Sequence, residues 1–119
     1  MDALRPGRIF WGVFPGRRGD GKTRPMLVMT RRTDLIRTGR VFAIVCSTDF
    51  TEPLLPIEVI LPSQEDGLIC TRLKRPTVAV CDWTTPYTVA DIEETSGMVP
   101  AAILQDICRK AGIAYPAER

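Results

Sequence analysis

Eight consecutive residues, Val41-Phe-Ala-Ile-Val-Cys-Ser-Thr48, are nearly all apolar and rich in β-formers. The run does not alternate between apolar and polar, so it predicts a central strand buried on both faces. A strand of that kind needs neighbours, and the flanking sequence supplies them. Residues 8–14 (Arg-Ile-Phe-Trp-Gly-Val-Phe) read as a strand. Pro25 to Thr30 is an apolar strand that starts where a proline is easily placed. Between them, Pro-Gly-Arg-Arg-Gly-Asp-Gly-Lys-Thr-Arg (15–24) is too glycine-rich for a helix or a strand interior and predicts a basic loop. A charged connector containing Gly39 leads into the central strand. Further strands are expected at Ile57 to Leu61, between Pro56 and Pro62, then at Leu68 to Leu73 and Thr77 to Trp83. Residues 63–67 read as a polar turn, and 84–97 as irregular and acidic.

One helix stands out. Pro100 suits a helix start and Gly112 the residue just past its end. Between them Ile103, Leu104, Ile107, Cys108 and Ala111 form one apolar stripe, and Arg109 and Lys110 complement the dipole of the last turn. Five or six short strands and one C-terminal helix predict a small curved sheet or partly open barrel with the helix against it, in a single domain spanning 1–119.

Several classes of function are excluded. The chain of 119 residues contains no histidine, so Ser-His-Asp and Cys-His nucleophiles and imidazole acid–base pairs are out of reach. Cys46, Cys70, Cys81 and Cys108 are scattered, each within an apolar stretch, without the close pairs that structural zinc favours. They are expected to be buried, reduced core residues, with no metal and no cofactor. No apolar run approaches the roughly 20 residues of a membrane span, and the first residues, Met-Asp-Ala-Leu-Arg-Pro, lack the apolar stretch of a secretory signal. A cytoplasmic protein is expected.

Net charge is only +2, but residues 5–40 hold ten Arg or Lys against Asp20 and Asp34, a local charge of +8, while the remainder carries −6. Such polarity suits a face that binds a polyanion, or simply a solvated basic surface.

In this order the segments resemble the MazF/PemK family of toxin–antitoxin ribonucleases. The elements that carry the resemblance are Arg8 to Phe14, the loop Gly16 to Thr23, and Arg24-Pro-Met-Leu-Val-Met29. Ala43-Ile-Val-Cys-Ser-Thr48, the proline-flanked Leu55 to Pro62, Gly67-Leu-Ile-Cys70 and the C-terminal helix continue it. Two places depart from the family's pattern. Asp20-Gly21-Lys22 stands where members often carry a loop glutamate or glutamine, and Arg72, Lys74 and Arg75 surround a proline where members tend to have a glutamine and an arginine.

The resemblance implies a small SH3-like or CcdB-like β-barrel with a C-terminal helix. It also implies a sequence-specific, metal-independent endoribonuclease that leaves a 2′,3′-cyclic phosphate and a 5′-hydroxyl. Arg24 is then the phosphate clamp, since a guanidinium can give two parallel hydrogen bonds to phosphate oxygens. Thr48 matches the family's catalytic threonine, and its hydroxyl can donate to a phosphate oxygen or orient the 2′-hydroxyl. Arg17, Arg18 and Lys22 become RNA-backbone contacts. Ser47 is a neighbouring candidate, Asp20 a weak proton acceptor, and Phe14, Phe50 or Trp83 a base-stacking face. The partners implied are single-stranded RNA, a second copy in a homodimer, and an antitoxin whose flexible acidic segment crosses the basic groove. Alternatives from other classes stay open: a non-catalytic SH3-like barrel that binds nucleic acid or protein, a CcdB-like gyrase poison, or an inactive toxin homologue.

Overall fold

The computed structural model describes residues 4–13, 22–63 and 70–116. Among these residues six strands and two α-helices follow in the order β1 (Arg8–Val13), β2 (Thr23–Val28), α1 (Arg32–Thr38), β3 (Arg40–Ser47), β4 (Glu58–Leu61), β5 (Thr77–Thr88), β6 (Glu94–Met98) and α2 (Ala101–Ala111). The strands form one antiparallel sheet in the order β4-β5-β3-β2-β1-β6, curled into a half-barrel.

The apolar run singled out in the sequence is the strand that binds this sheet together. Ala43, Ile44, Val45 and Cys46 of β3 are all at zero exposure, because both faces of the strand are covered. Side chains of a strand alternate between faces, and the two cores divide accordingly. Ile9, Leu27, Ile44, Cys46, Leu61 and Ala79 pack on the face covered by Leu104, Ile107 and Cys108 of α2. Phe10, Met26, Val28, Ala43 and Val45 pack on the other face with Leu35 of α1, Leu4 and Tyr87.

α2 is placed as the sequence predicted, with Pro100 as its N-cap rather than its first residue. Its end is a Schellman turn: Gly112 adopts φ 72°, its N–H donates to the Arg109 carbonyl, and Ile113 N–H donates to the Cys108 carbonyl. Burying Leu104 and Ile107 contributes about 1.5–3 kcal/mol each to holding α2 on the sheet.

Four expectations need correction. The connector after β2 contains α1, a short helix that buries only Leu35, with Arg31 and Arg37 bonded to Asp34 on its surface. The described part of the expected strand at 68–73 is a turn, and Arg72 has φ 59°, which a strand cannot accommodate. The stretch 84–97 is not irregular: β5 runs on to Thr88 and β6 pairs with β1. Cys46, Cys81 and Cys108 are buried as expected, but Cys70 is exposed.

β5 is bent. Two steps along β3, from Ile44 to Cys46, correspond to five along β5, from Thr84 to Ala79. Such a bulge curves the strand and re-aims its side chains. Within it Cys81 N–H still bonds to the Ile57 carbonyl, while Trp83 is swung toward the start of β2.

Candidate functional site

The beginning of β2, the end of β3, the bend of β5 and the turn at 70–75 enclose an open cleft of about 1040 Å³. β2 enters it through Thr23 and Arg24. The Arg24 backbone is held on both sides: it pairs with Gly12 of β1, and Pro25 after it restricts it to an extended conformation. Its guanidinium lies 5.5 Å from the centroid of the Trp83 ring, in cation–π range. Thr23 Oγ1 donates to Glu93 Oε1 at 3.3 Å.

β3 brings its C-terminal end to the same cleft. Ser47 is buried and accepts from Asp49 N–H at 3.0 Å, with its hydroxyl also 3.3 Å from the Asp49 carbonyl. This side-chain turn fixes the chain on both sides of Thr48, which is exposed and lines the cleft. Ser47 thus spends its hydroxyl on shaping the turn that presents Thr48.

The third contributor is the turn at 70–75. Thr71 is its anchor: the hydroxyl donates to the Pro62 carbonyl at 2.6 Å and accepts from Leu73 N–H at 3.2 Å. Its carbonyl accepts from Gly97 N–H and from Ser96 Oγ, both at 2.9 Å. From this anchor Arg72, Lys74 and Arg75 line the cleft.

Together with Lys22 and Arg24, that gives five cationic side chains in the lining against the carboxylates of Asp49 and Glu94. The positive field extends to Arg8, whose guanidinium donates to the Ser96 carbonyl at 3.1 Å. Burial, then repulsion from Arg5 and Arg72, lowers its pKa from the usual arginine value. Concentrated positive charge in a concave site favours a polyanion. Cys46 also borders the cleft, but its thiol is buried and its pKa pushed far up by desolvation, so it is no nucleophile. Among the described residues no three metal-ligating side chains gather, and no helix is long and apolar enough to cross a membrane.

Of the predicted site residues, Arg24, Thr48, Ser47 and Lys22 meet in this cleft, as does Trp83. Phe50 is half-buried and does not line it. Phe14, Arg17, Arg18 and Asp20 lie outside the described residues. Sequence reasoning did not assign the cleft to Arg72, Lys74, Arg75 and Trp11. The triplet Lys74-Arg75-Pro76 carried a signal, since charge beside proline marks a turn better than a strand end.

The curled six-stranded sheet with its C-terminal helix is the fold of MazF toxins. The Mycobacterium tuberculosis toxin MazF-mt6 superposes with a TM-score of 0.69 at 23% identity, covering 91% of this chain and 93% of that one. MazF of Deinococcus radiodurans gives 0.73 at 22% identity, over 92% and 94%. A mycobacterial endoribonuclease in complex with its cognate antitoxin gives 0.62 at 18% identity, over 98% and 100%. No protein-family model matches the sequence, and no curated protein matches it.

Proposed function

We propose that this chain, as a single toxin domain over 1–119, is a metal-independent endoribonuclease of the MazF kind that cuts single-stranded RNA in the cleft. The observation that carries the reading is the meeting of Arg24 and Thr48, from the ends of two strands, in one strongly cationic concavity. Solved structures of like fold include MazF toxins and an endoribonuclease with its cognate antitoxin, and they support the same reading.

With no histidine available, the nucleophile is the substrate's own 2′-hydroxyl. Its oxygen attacks the adjacent phosphorus, the bond to the 5′-oxygen breaks, and that oxygen takes up a proton. The products are a 2′,3′-cyclic phosphate and a 5′-hydroxyl. Arg24 neutralises the charge building on the non-bridging oxygens through paired N–H donors. Thr48 supplies a further donor and aligns the 2′-hydroxyl for in-line attack. The proton acceptors present in the described wall of the cleft are Asp49 and Glu94. Lys22, Arg72, Lys74 and Arg75 bind flanking phosphates, and affinity falls steeply with salt. The base preference follows from what the 70–75 turn offers to the bases.

The partners in this reading are single-stranded RNA, a second copy of the chain, and an antitoxin whose acidic flexible segment lies in the same cleft. The setting is the cytoplasm. Charge complementarity supports the antitoxin's placement, because an acidic strand competes with RNA for the same cations.

The test is incubation of the purified chain with long unstructured RNA in excess EDTA, followed by sequencing of the ends. Discrete cuts bearing 5′-hydroxyls are expected, with Arg24→Ala and Thr48→Ala each losing about 10²–10³-fold in rate. RNA that is bound in a salt-sensitive way but left intact in EDTA makes the chain a binding barrel instead.

A further inference from the structure

Arg24 carries the phosphate clamp at the end of a long, flexible side chain. Its backbone is fixed by the Gly12 pairing and by Pro25, but a long side chain keeps much of its rotamer freedom unless something holds its head. A clamp that must be organised afresh at each turnover loses much of its catalytic value, since preorganisation is what makes an electrostatic stabiliser effective.

We propose that Trp83 is the positioning residue for Arg24, holding the guanidinium over its indole so that the N–H donors face the phosphate of a bound RNA strand. This rests on the reading of the cleft as a phosphodiester-cleaving site.

Three observations converge. The guanidinium carbon stands 5.5 Å from the ring centroid, inside the range in which the ring quadrupole attracts a cation. That attraction is electrostatic and does not depend on a hydrogen bond to the ring. The indole is itself a firm support: Trp83 is half-buried and packs against the core cluster of Phe10, Met26 and Val45. Finally, the displaced register of β5 puts Trp83 beside β2 at all, because without the extra residues between Ala79 and Thr84 its place in the ladder would be different.

The competing role for this indole is a platform on which a base stacks. The two roles separate kinetically. A positioning residue acts on the rate of the bound complex, whereas a stacking platform acts on binding. Trp83→Leu keeps apolar bulk and removes the ring face. Trp83→Phe keeps a ring face.

The full-length chain, Trp83→Leu and Trp83→Phe are assayed on one oligoribonucleotide containing the mapped cut site, in EDTA. The expected result for Trp83→Leu is a kcat lowered by about 5–30-fold with KM within about twofold, and recovery of most of the loss in Trp83→Phe. A raised KM with unchanged kcat, or no change in either, overturns the proposal. If Trp83→Leu does not fold, Trp83→Phe alone carries the comparison, with a smaller fall in kcat expected.

A second readout needs no activity. In a Trp11→Phe background Trp83 is the only indole in the chain, and its emission is compared with and without Arg24→Ala, free of RNA. A shifted or altered emission supports the contact. Identical emission overturns it. A wild-type chain that cuts no RNA defeats the cleavage reading, and the emission comparison then decides the contact separately.

Discussion

Gly97 of β6 presses against the main chain of Cys70 so closely that a Cβ at position 97 would stand 2.0 Å from the Cys70 carbonyl oxygen. The same atom would be 2.5 Å from the Thr71 carbonyl carbon. The obstacle is backbone, so no side chain can move aside to make room. This is where the edge strand and the basic turn are fastened to each other.

Gly97→Ala is therefore expected to destabilise the protein by about 1–3 kcal/mol, the usual cost of overpacking where neighbours cannot yield. A urea titration reads this as a lower midpoint at unchanged slope. RNA affinity should fall further than the loss of folded protein explains, because the displaced turn carries Arg72, Lys74 and Arg75. A midpoint equal to that of the wild type would mean that the two segments separate at little cost.

Thiol chemistry gives an independent check on the packing. Cys46, Cys81 and Cys108 are buried and Cys70 is exposed. A thiol reagent at neutral pH should label one cysteine of the native protein quickly, and the other three only on unfolding. Cys70→Ser should abolish the fast phase. A fast phase that persists in that variant would show that the core opens readily.

Stability should also decline on the alkaline side. Burial pushes the Cys81 thiol from its ordinary 9.0 up to about 11, and raises those of Cys46 and Cys108 as well. Each folded-state pKa lies above its unfolded value, so the unfolded chain releases these protons first. The stabilisation from keeping the thiols protonated is complete below pH 9 and is lost as pH rises through 11 for Cys81. Denaturation midpoints at pH 8 and pH 10.5 should differ, and Cys81→Ala should reduce the difference. An identical difference in the variant would assign the effect to other groups.

How far the sequence revealed all this depended on whether a segment's fate is decided locally. β3 was legible because an almost unbroken apolar run has few alternatives to double-sided burial. α2 was legible because Pro100, Gly112 and a stripe of helical period agree with one another. β6 was not, since Glu-Thr-Ser-Gly-Met has little intrinsic strand character. It forms through pairing with β1 and through the room that Gly97 leaves for the 70–71 backbone. α1 escaped notice because seven residues with a single buried side chain, Leu35, show no period to detect. At the site, Arg24 and Thr48 were found through resemblance, and their meeting needed the sheet order. Charge density drew attention to residues 5–40, yet three of the five cations lining the cleft come from the turn at 72–75. Their contribution depends on the left-handed backbone of Arg72, which is stabilised by distant bonds to Pro62, Ser96 and Gly97.

The bonds that fasten this turn run through main-chain atoms and the hydroxyl of Thr71, while the charged heads of Arg72, Lys74 and Arg75 point away to the cleft. Chassis and reading head are thus separate parts of one short segment. A library confined to positions 72, 74 and 75 explores recognition without gambling foldability, with Asn, Asp and Gly the easiest newcomers at position 72, where the backbone is left-handed. If the cleft binds RNA as proposed, one half-barrel could in this way carry many different dialects of nucleotide preference, each reached by changing three letters and leaving the spine of the turn untouched.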